Sequence, residues 1–480
     1  MAAEAVDVIV IGSGAGGAAC AWGLAEGGVN TLLLESGPAY DPTRDYRLER
    51  NDWEQSHFPH KVNPRGRQTM APLQALDERW DDLRSWNHLR GRLVPGDKRT
   101  SWGYQHVVGL GGSTLHYTGE AHRMHPGALR LRGDFGVGAD WPLDYGALDP
   151  WYVKAEHLLG VAGPEDPRRP RGKALPMPAH ELSYASRRVA KGCASLGFSW
   201  QQNTVAIPSR AYRQRPPCNY CGQCSRGCSR RDKGSADLTF IPAARATGRC
   251  EIRTGATVVA LEPGADDRVA AVRYVTPDGS EHRVRGRVVV VACGAVETPR
   301  LLLNSAGAGA PDGLANESGL VGRNFMETLF CSVSGLHPDA LGSHRGLPNG
   351  GICWDFNAPD AVEGMVGGSR YMLSTGEADL TGPLNYARRV VGGWGRAHKT
   401  AMREQFGHAL SVSAVGENLP NAGSYIDLDP DRRDGNGLPL ARIASFLPDS
   451  ELLRLRFMMQ TAQRILEAAG VDQLIERYGS

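Results

Sequence analysis

The sequence predicts an α/β fold, α+β overall, in which a Rossmann-like dinucleotide-binding domain is joined to a second, β-sheet-based domain. Three observations carry this reading. Val6-Asp-Val-Ile-Val-Ile11 is a short apolar run of the parallel-sheet type, and Asn30-Thr-Leu-Leu-Leu-Glu35 is a second. Between them, Gly12-Ser-Gly-Ala-Gly-Gly17 turns the first strand into a helix running to about Gly27. Far downstream, residues 330–445 carry Gly-rich, β-like segments of a different character, which suggest the second domain.

Gly12, Gly14 and Gly17 form G-x-G-x-x-G. The first glycine allows a tight turn, the second lets backbone approach a pyrophosphate, and the third lets helix pack on strand. The helix N-terminus then offers free N–H groups and a positive dipole end to phosphates. Glu35 ends the second strand, where a carboxylate accepts hydrogen bonds from ribose hydroxyls. The motif alone does not separate FAD from NAD. Residues 40–100 read as an irregular excursion. Gly109-Leu-Gly-Gly112 marks a tight turn, Trp141 to Gly160 a helix, and Pro164 to Pro178 an exposed loop. Residues 251–291 alternate as short strands ending in the buried-strand pattern Arg287-Val-Val-Val-Val-Ala292, and a helix begins at Pro299. Leu452, Leu453, Leu455, Phe457, Met458 and Ile465 recur at helical steps across 450–470.

With 41% hydrophobic and 22% charged residues in 480, the chain can bury a large core, and a net charge of +2 gives no reason to expect nucleic acid as a partner. The run Val288-Val-Val-Val-Ala-Cys293 is far short of the ~20 residues a membrane span needs, so no transmembrane segment is expected. The N-terminus has no basic region or cleavage site of a signal peptide, so the expected location is cytoplasmic, with co-export to the periplasm beside a partner left open.

Four of the ten cysteines, Cys218, Cys221, Cys224 and Cys228, are spaced C-x2-C-x2-C-x3-C. Four soft ligands this close can wrap an iron–sulfur cluster or a structural zinc, and a disulfide or free thiols are the remaining reading. Zinc ligands more often come as two separated pairs. Arg226, Arg230 and Arg231 surround the run, either as a docking patch for an acidic electron acceptor or as a solvated basic loop.

Several segments together resemble the glucose–methanol–choline (GMC) oxidoreductases, FAD enzymes that oxidise alcohols and sugars. Gly109-Leu-Gly-Gly-Ser-Thr-Leu-His-Tyr-Thr118 is similar to the family's first signature and Gly294-Ala-Val-Glu-Thr-Pro-Arg-Leu-Leu-Leu-Asn-Ser305 to its second. Gly319-Leu-Val-Gly-Arg-Asn-Phe-Met326 is similar to a third recurring segment, and Asp140-Trp-Pro-Leu-Asp-Tyr145 to a bacterial branch that carries cysteines. The resemblance implies FAD, with Gly112, Ser113, His116, Thr118 and Gly294 along the flavin and Val258 near the adenine. It leaves His116 either covalently bonded to the flavin or merely packed near it. It implies a 3Fe-4S cluster on Cys218, Cys224 and Cys228, or a 4Fe-4S cluster on all four cysteines. It also divides the chain into a discontinuous FAD-binding domain (1–40, 100–135 and 240–330), substrate-binding or cap regions (136–239 and 331–445, with the cysteine-rich loop 218–228) and a C-terminal helix (446–480).

The function expected is oxidation of the CH–OH group of a small-molecule alcohol, polyol or sugar by hydride transfer to flavin N5. Electrons would leave through the cluster to an acceptor protein or cytochrome subunit. The family's proton-accepting histidine lies beyond segments resembling Glu417-Asn-Leu-Pro-Asn421 and Leu428-Asp-Pro430, whereas the last histidine here is His408. His106, His122, His125 and His408 read as structural or surface residues, so no catalytic base is assigned. The rival expectation is a truncated or non-catalytic flavin or iron–sulfur electron-transfer subunit.

Overall fold

The computed structural model describes residues 4–46, 68–91, 104, 106–265, 268–307, 309–375 and 380–479. Two large sheets organise them. The first has six strands, in the order Cys250–Arg253, Thr31–Leu34, Glu4–Ile11, Glu281–Val291, Val269–Val275, Thr257–Pro263. The first four of these run parallel and the last two complete an antiparallel meander. Ile9, Val10, Leu32 and Leu33 are fully buried, as strands covered on both faces require. The Val288–Val291 end is less buried than its sequence suggests, with Val288 54% exposed. Its antiparallel neighbour pairs only at Glu281–Val284, so the apolar end has a partner on one edge alone among the described residues.

The second sheet has seven strands, in the order Trp86–Asn87, Gln473–Gly479, Leu329–Leu336, Ala409–Gly416, Ser369–Leu373, Gly351–Cys353, Gln201–Gln202. Its pairings are antiparallel, and one face packs on the helix Asp449–Ala468. Leu410, Val412 and Ala414 meet Met458, Ala462 and Ile465 in that core. The opposite face is polar: Ser334 bonds Ser411 at 2.7 Å, and Ser413 donates to Ser332 at 3.1 Å. This period-two split follows from strand geometry.

The sheet corrects one boundary. Residues 446–480 are not a helix alone, because Gln473–Gly479 forms a strand against Leu329–Leu336. Ile475 and Tyr478 are buried in that pairing, a long-range gain that local pattern does not announce. Likewise the excursion at 40–100 contributes Gln68–Met70 to a small three-stranded sheet with Tyr425–Arg433 and Pro439–Ala444. The helix predicted over 141–160 spans Tyr145–Leu159, capped by Asp144 accepting from Ala147 N at 2.7 Å. The helix expected from Pro299 begins earlier, at Gly294. Among the described residues, no helix is long and apolar enough to cross a membrane.

Candidate flavin site and its cysteine-rich neighbour

A cavity of about 1140 Å³ opens at the carboxyl end of the parallel strands. Small-molecule pockets commonly span about 300–1,000 Å³, so this one has room for a dinucleotide and more. Gly12, Gly14, Glu35, Gly112, Ser113, Val258 and Gly294 all line it. Gly17, His116 and Thr118 lie outside its walls.

The turn is built as its glycines demand. Gly12 has φ +95°, and a Cβ there would sit 2.6 Å from Ala292 O. A Cβ on Gly17 would collide with Gly12 O, so the helix Ala15–Glu26 packs on the strand only with glycine there. At Gly14 and Gly16 a Cβ would meet nothing within 4 Å, which leaves open space above the helix N-terminus. Glu35 is buried and braces the turn: Oε2 accepts from Ser13 N at 3.0 Å and Ser13 Oγ at 2.5 Å, and Oε1 from Gly37 N at 2.8 Å. Ser13 Oγ also accepts from Gly111 N at 2.9 Å, tying the segment 111–121 to the turn. A Cβ on Gly112 would stand 2.8 Å from Gly14 Cα. Open backbone, helix N-terminus and a terminal carboxylate together fit the pyrophosphate and ribose of FAD.

Beyond that cradle the walls include Tyr104, His106, Tyr117 and Glu120, then Glu297, Arg300 and Asp434. Arg300 donates to Glu297 at 3.0 Å and to Asp434 at 2.6 Å, joining the helix Gly294–Asn304 to the third sheet. Of the four histidines weighed from sequence, His106 lies on the cavity wall. Burial pushes His122 down to about 4, and His125 caps a short helix by accepting from Gly127 N at 3.2 Å. His408 Nδ1 contacts His337 O at 3.0 Å. Burial also pushes the Tyr104 hydroxyl up to about 12.

The cysteine run lies directly behind the flavin segment. His116 is buried, and its Nδ1 lies 2.7 Å from Ser225 O inside the run. Lys233, 1% exposed, donates from Nζ to Leu115 O (2.9 Å), Tyr117 O (2.9 Å) and Cys224 O (2.8 Å). Thr118 Oγ1 accepts from Asn349 Nδ2 at 3.2 Å. Burial raises the Cys218 and Cys224 thiols to about 12 and Cys228 to about 11. Lys233 opposes that shift at Cys224, and the other thiols of the run add to it. Cys221 is exposed. Cys228 Sγ donates to Asp232 Oδ1 at 2.5 Å, and Cys218 Sγ accepts from Tyr220 N at 3.3 Å. The donor set suits a soft metal, yet no three His, Cys, Asp or Glu groups among the described residues are arranged as metal ligands. All four cysteines are free thiols. The basic loop is not uniformly solvated: Arg226 is buried, whereas Arg230 and Arg231 are 42% and 54% exposed.

Sequence reasoning missed Ser13, Tyr117 and Glu120.

A sequence profile described as "GMC oxidoreductase" matches residues 132–329, and one described as "FAD binding domain" matches residues 7–43. The 2-methyl-1,2-propanediol dehydrogenase of Mycolicibacterium austroafricanum is 29% identical over 450 residues, 92% of this chain and 77% of its own. The fructose dehydrogenase large subunit of Gluconobacter japonicus is 28% identical, covering 90% of this chain and 78% of its own. Among solved structures, pyridoxine 4-oxidase from Mesorbium loti superposes with a TM-score of 0.60 at 18% identity, over 98% of this chain and 83% of that one. Profile, relatives, fold and phosphate cradle agree: the chain is similar to the GMC oxidoreductases, and its cradle is that of an FAD-binding protein.

Proposed function

We propose that this protein is an FAD-dependent dehydrogenase that oxidises the CH–OH group of an alcohol, polyol or sugar. The carrying observation is that one cavity runs from the Gly12–Gly16 cradle to Glu120, beside the second sheet. Relatives named as a propanediol dehydrogenase and a fructose dehydrogenase large subunit support the substrate class. Bound FAD supplies a two-electron acceptor for the hydride of the alcohol carbon. The chain's own residues hold and shield it. Backbone N–H groups at Gly14–Gly16 would hold the phosphates, Glu35 the ribose and Val258 the adenine, with Gly112 and Ser113 lining the space between. Tyr104, His106, Tyr117 and Glu120 wall the far end, where a hydroxyl-bearing substrate would enter.

Cys218, Cys221, Cys224 and Cys228 are proposed to hold an iron–sulfur cluster, which when bound supplies a one-electron exit toward a partner protein. Support comes from the donor set and from Lys233, which fastens Cys224 to the flavin segment. Anaerobic bleaching of the flavin by a panel of alcohols, polyols and sugars tests the enzyme reading, and no bleaching by any of them refutes it. Iron content of protein purified under exclusion of oxygen tests the cluster; iron-free protein with four titratable thiols refutes that part alone.

A further inference from the structure

Glu120 is a carboxylate on the cavity wall that the flavin cradle does not use, whereas Glu297 and Asp434 on the same wall are both paired with Arg300. It sits two residues beyond Thr118, and both side chains bond toward the second sheet. Its Oε1 accepts from Asn203 Nδ2 at 3.0 Å and its Oε2 from Arg370 Nη2 at 3.2 Å, the latter on the strand Ser369–Leu373. Asn203 is itself fixed, with Oδ1 2.7 Å from His122 Nε2 and Nδ2 donating to Asn349 O at 2.8 Å. His122 stacks edge-on against Trp354 at 4.7 Å, and Arg169 lies over that ring at 3.9 Å. Such a shell preorganises one acceptor in one place.

Burial works against ionising Glu120, but its polar partners outweigh it and hold the carboxyl below its usual range. The partners that lower it are His122 first, then Arg370 and Asn203. An ionised carboxylate offers about four lone-pair sites, of which two are used here, so it retains capacity to accept from a ligand. Arg370 balances its charge, so the site has no surplus attraction for a cation and suits a neutral hydroxyl donor.

Resting on the dehydrogenase reading above, we propose that Glu120 accepts a hydrogen bond from a substrate hydroxyl other than the one oxidised. The site then selects vicinal diols, polyols and sugars over monohydric alcohols. A pocket built to pair a substrate hydroxyl discriminates strongly against an analogue without it, because the pocket's polar group is then left unpaired.

The test compares 1,2-hexanediol with 1-hexanol on the flavin-loaded chain. Binding is read from perturbation of the visible flavin spectrum, and turnover from anaerobic bleaching. Wild type is expected to favour the diol. E120A is expected to shrink the diol-to-monool ratio of affinities by about 10- to 100-fold, the range of a hydrogen bond to a charged group. E120Q, which keeps the shape and a contact to Arg370, is expected to shrink it in the same direction and guards against a folding failure of E120A. Loss of flavin or stability in both variants with the ratio preserved would make Glu120 a mere strut between the sheets and overturn the proposal. So would equal affinity of the wild type for the two alcohols while both bleach the flavin, which leaves the dehydrogenase reading standing. A wild type that neither binds nor is bleached by any alcohol overturns both.

Discussion

Lys233 is the cheapest place to test whether the cysteine run and the flavin segment form one unit. K233M keeps an unbranched chain of similar length and deletes the ammonium that donates to Leu115 O, Tyr117 O and Cys224 O at 2.8–2.9 Å. Cys224 O also accepts from Gly227 N at 3.3 Å, so two carbonyls are left without a donor, and at ~1–3 kcal/mol each they cost roughly 2–6 kcal/mol. Relief from burying an ammonium offsets part of that, leaving a net loss of up to about 3 kcal/mol. The loss is local, because the three acceptors lie on two chain segments that meet at this one nitrogen. If flavin binding must reorder residues 112–118, a loss of up to about 3 kcal/mol weakens it by up to roughly 150-fold. The assays are fluorescence titration of the apoprotein with FAD, and hydrogen exchange of amides in 112–118 and 218–233. The expected result is faster exchange in both segments together with weaker FAD binding. Unchanged exchange in 112–118 with a loosened 218–233 would refute the coupling.

Three further outcomes follow from the same geometry. Gly112→Ala places a Cβ 2.8 Å from Gly14 Cα at φ +55°, so FAD affinity is expected to fall roughly 100-fold with the circular dichroism spectrum unchanged. Acid precipitation of flavin-loaded protein is expected to leave the yellow colour in the supernatant, because His116 Nδ1 is engaged with Ser225 O and the cavity walls do not include this residue; a coloured pellet would refute it. His122 is lowered from 6.5 to about 4 by burial, so the unfolded chain takes up this proton first and stability falls as pH drops through that window. The full effect is about 3 kcal/mol, and H122Q is expected to flatten the urea midpoint between pH 6.5 and 4.

The phosphate cradle was legible because every part of it is local. Strand, turn, helix and acid follow one another within residues 6–35, and Gly12 and Gly17 each answer a backbone clash, on the neighbouring strand and a few residues away respectively. The cysteine run was legible as a donor set for the same reason, whereas the state of its thiols depends on Asp232, Tyr220 and Lys233 as placed by the fold. Glu120 could not be singled out, since its meaning comes from Asn203, 83 positions away, and Arg370, 250 positions away. The strand Gln473–Gly479 escaped because a helix of strong periodicity precedes it and its partner, Leu329–Leu336, lies far upstream.

These long-range contacts converge on one short segment, residues 111–120. At its start, Gly111 and Gly112 press against Ser13 and Gly14, where phosphate must bind. In its middle, the carbonyls of Leu115 and Tyr117 are bound to Lys233, and the His116 ring reaches Ser225 in the cysteine run. At its end, Thr118 and Glu120 engage Asn349 and Asn203 beside the second sheet and Arg370 on it. The chain leaves the short 3-10 helix Gly112–Leu115 through a turn and bends again at Gly119, φ +91°, and these bends let one segment face both the cysteine run and the second sheet. A substrate seated against Glu120 and electrons leaving toward Cys224 would then be separated only by residues 115–120. That places the cofactor contacts, the specificity contact and the proposed exit on a single strut, which makes this segment more diagnostic of function than the cysteine spacing alone.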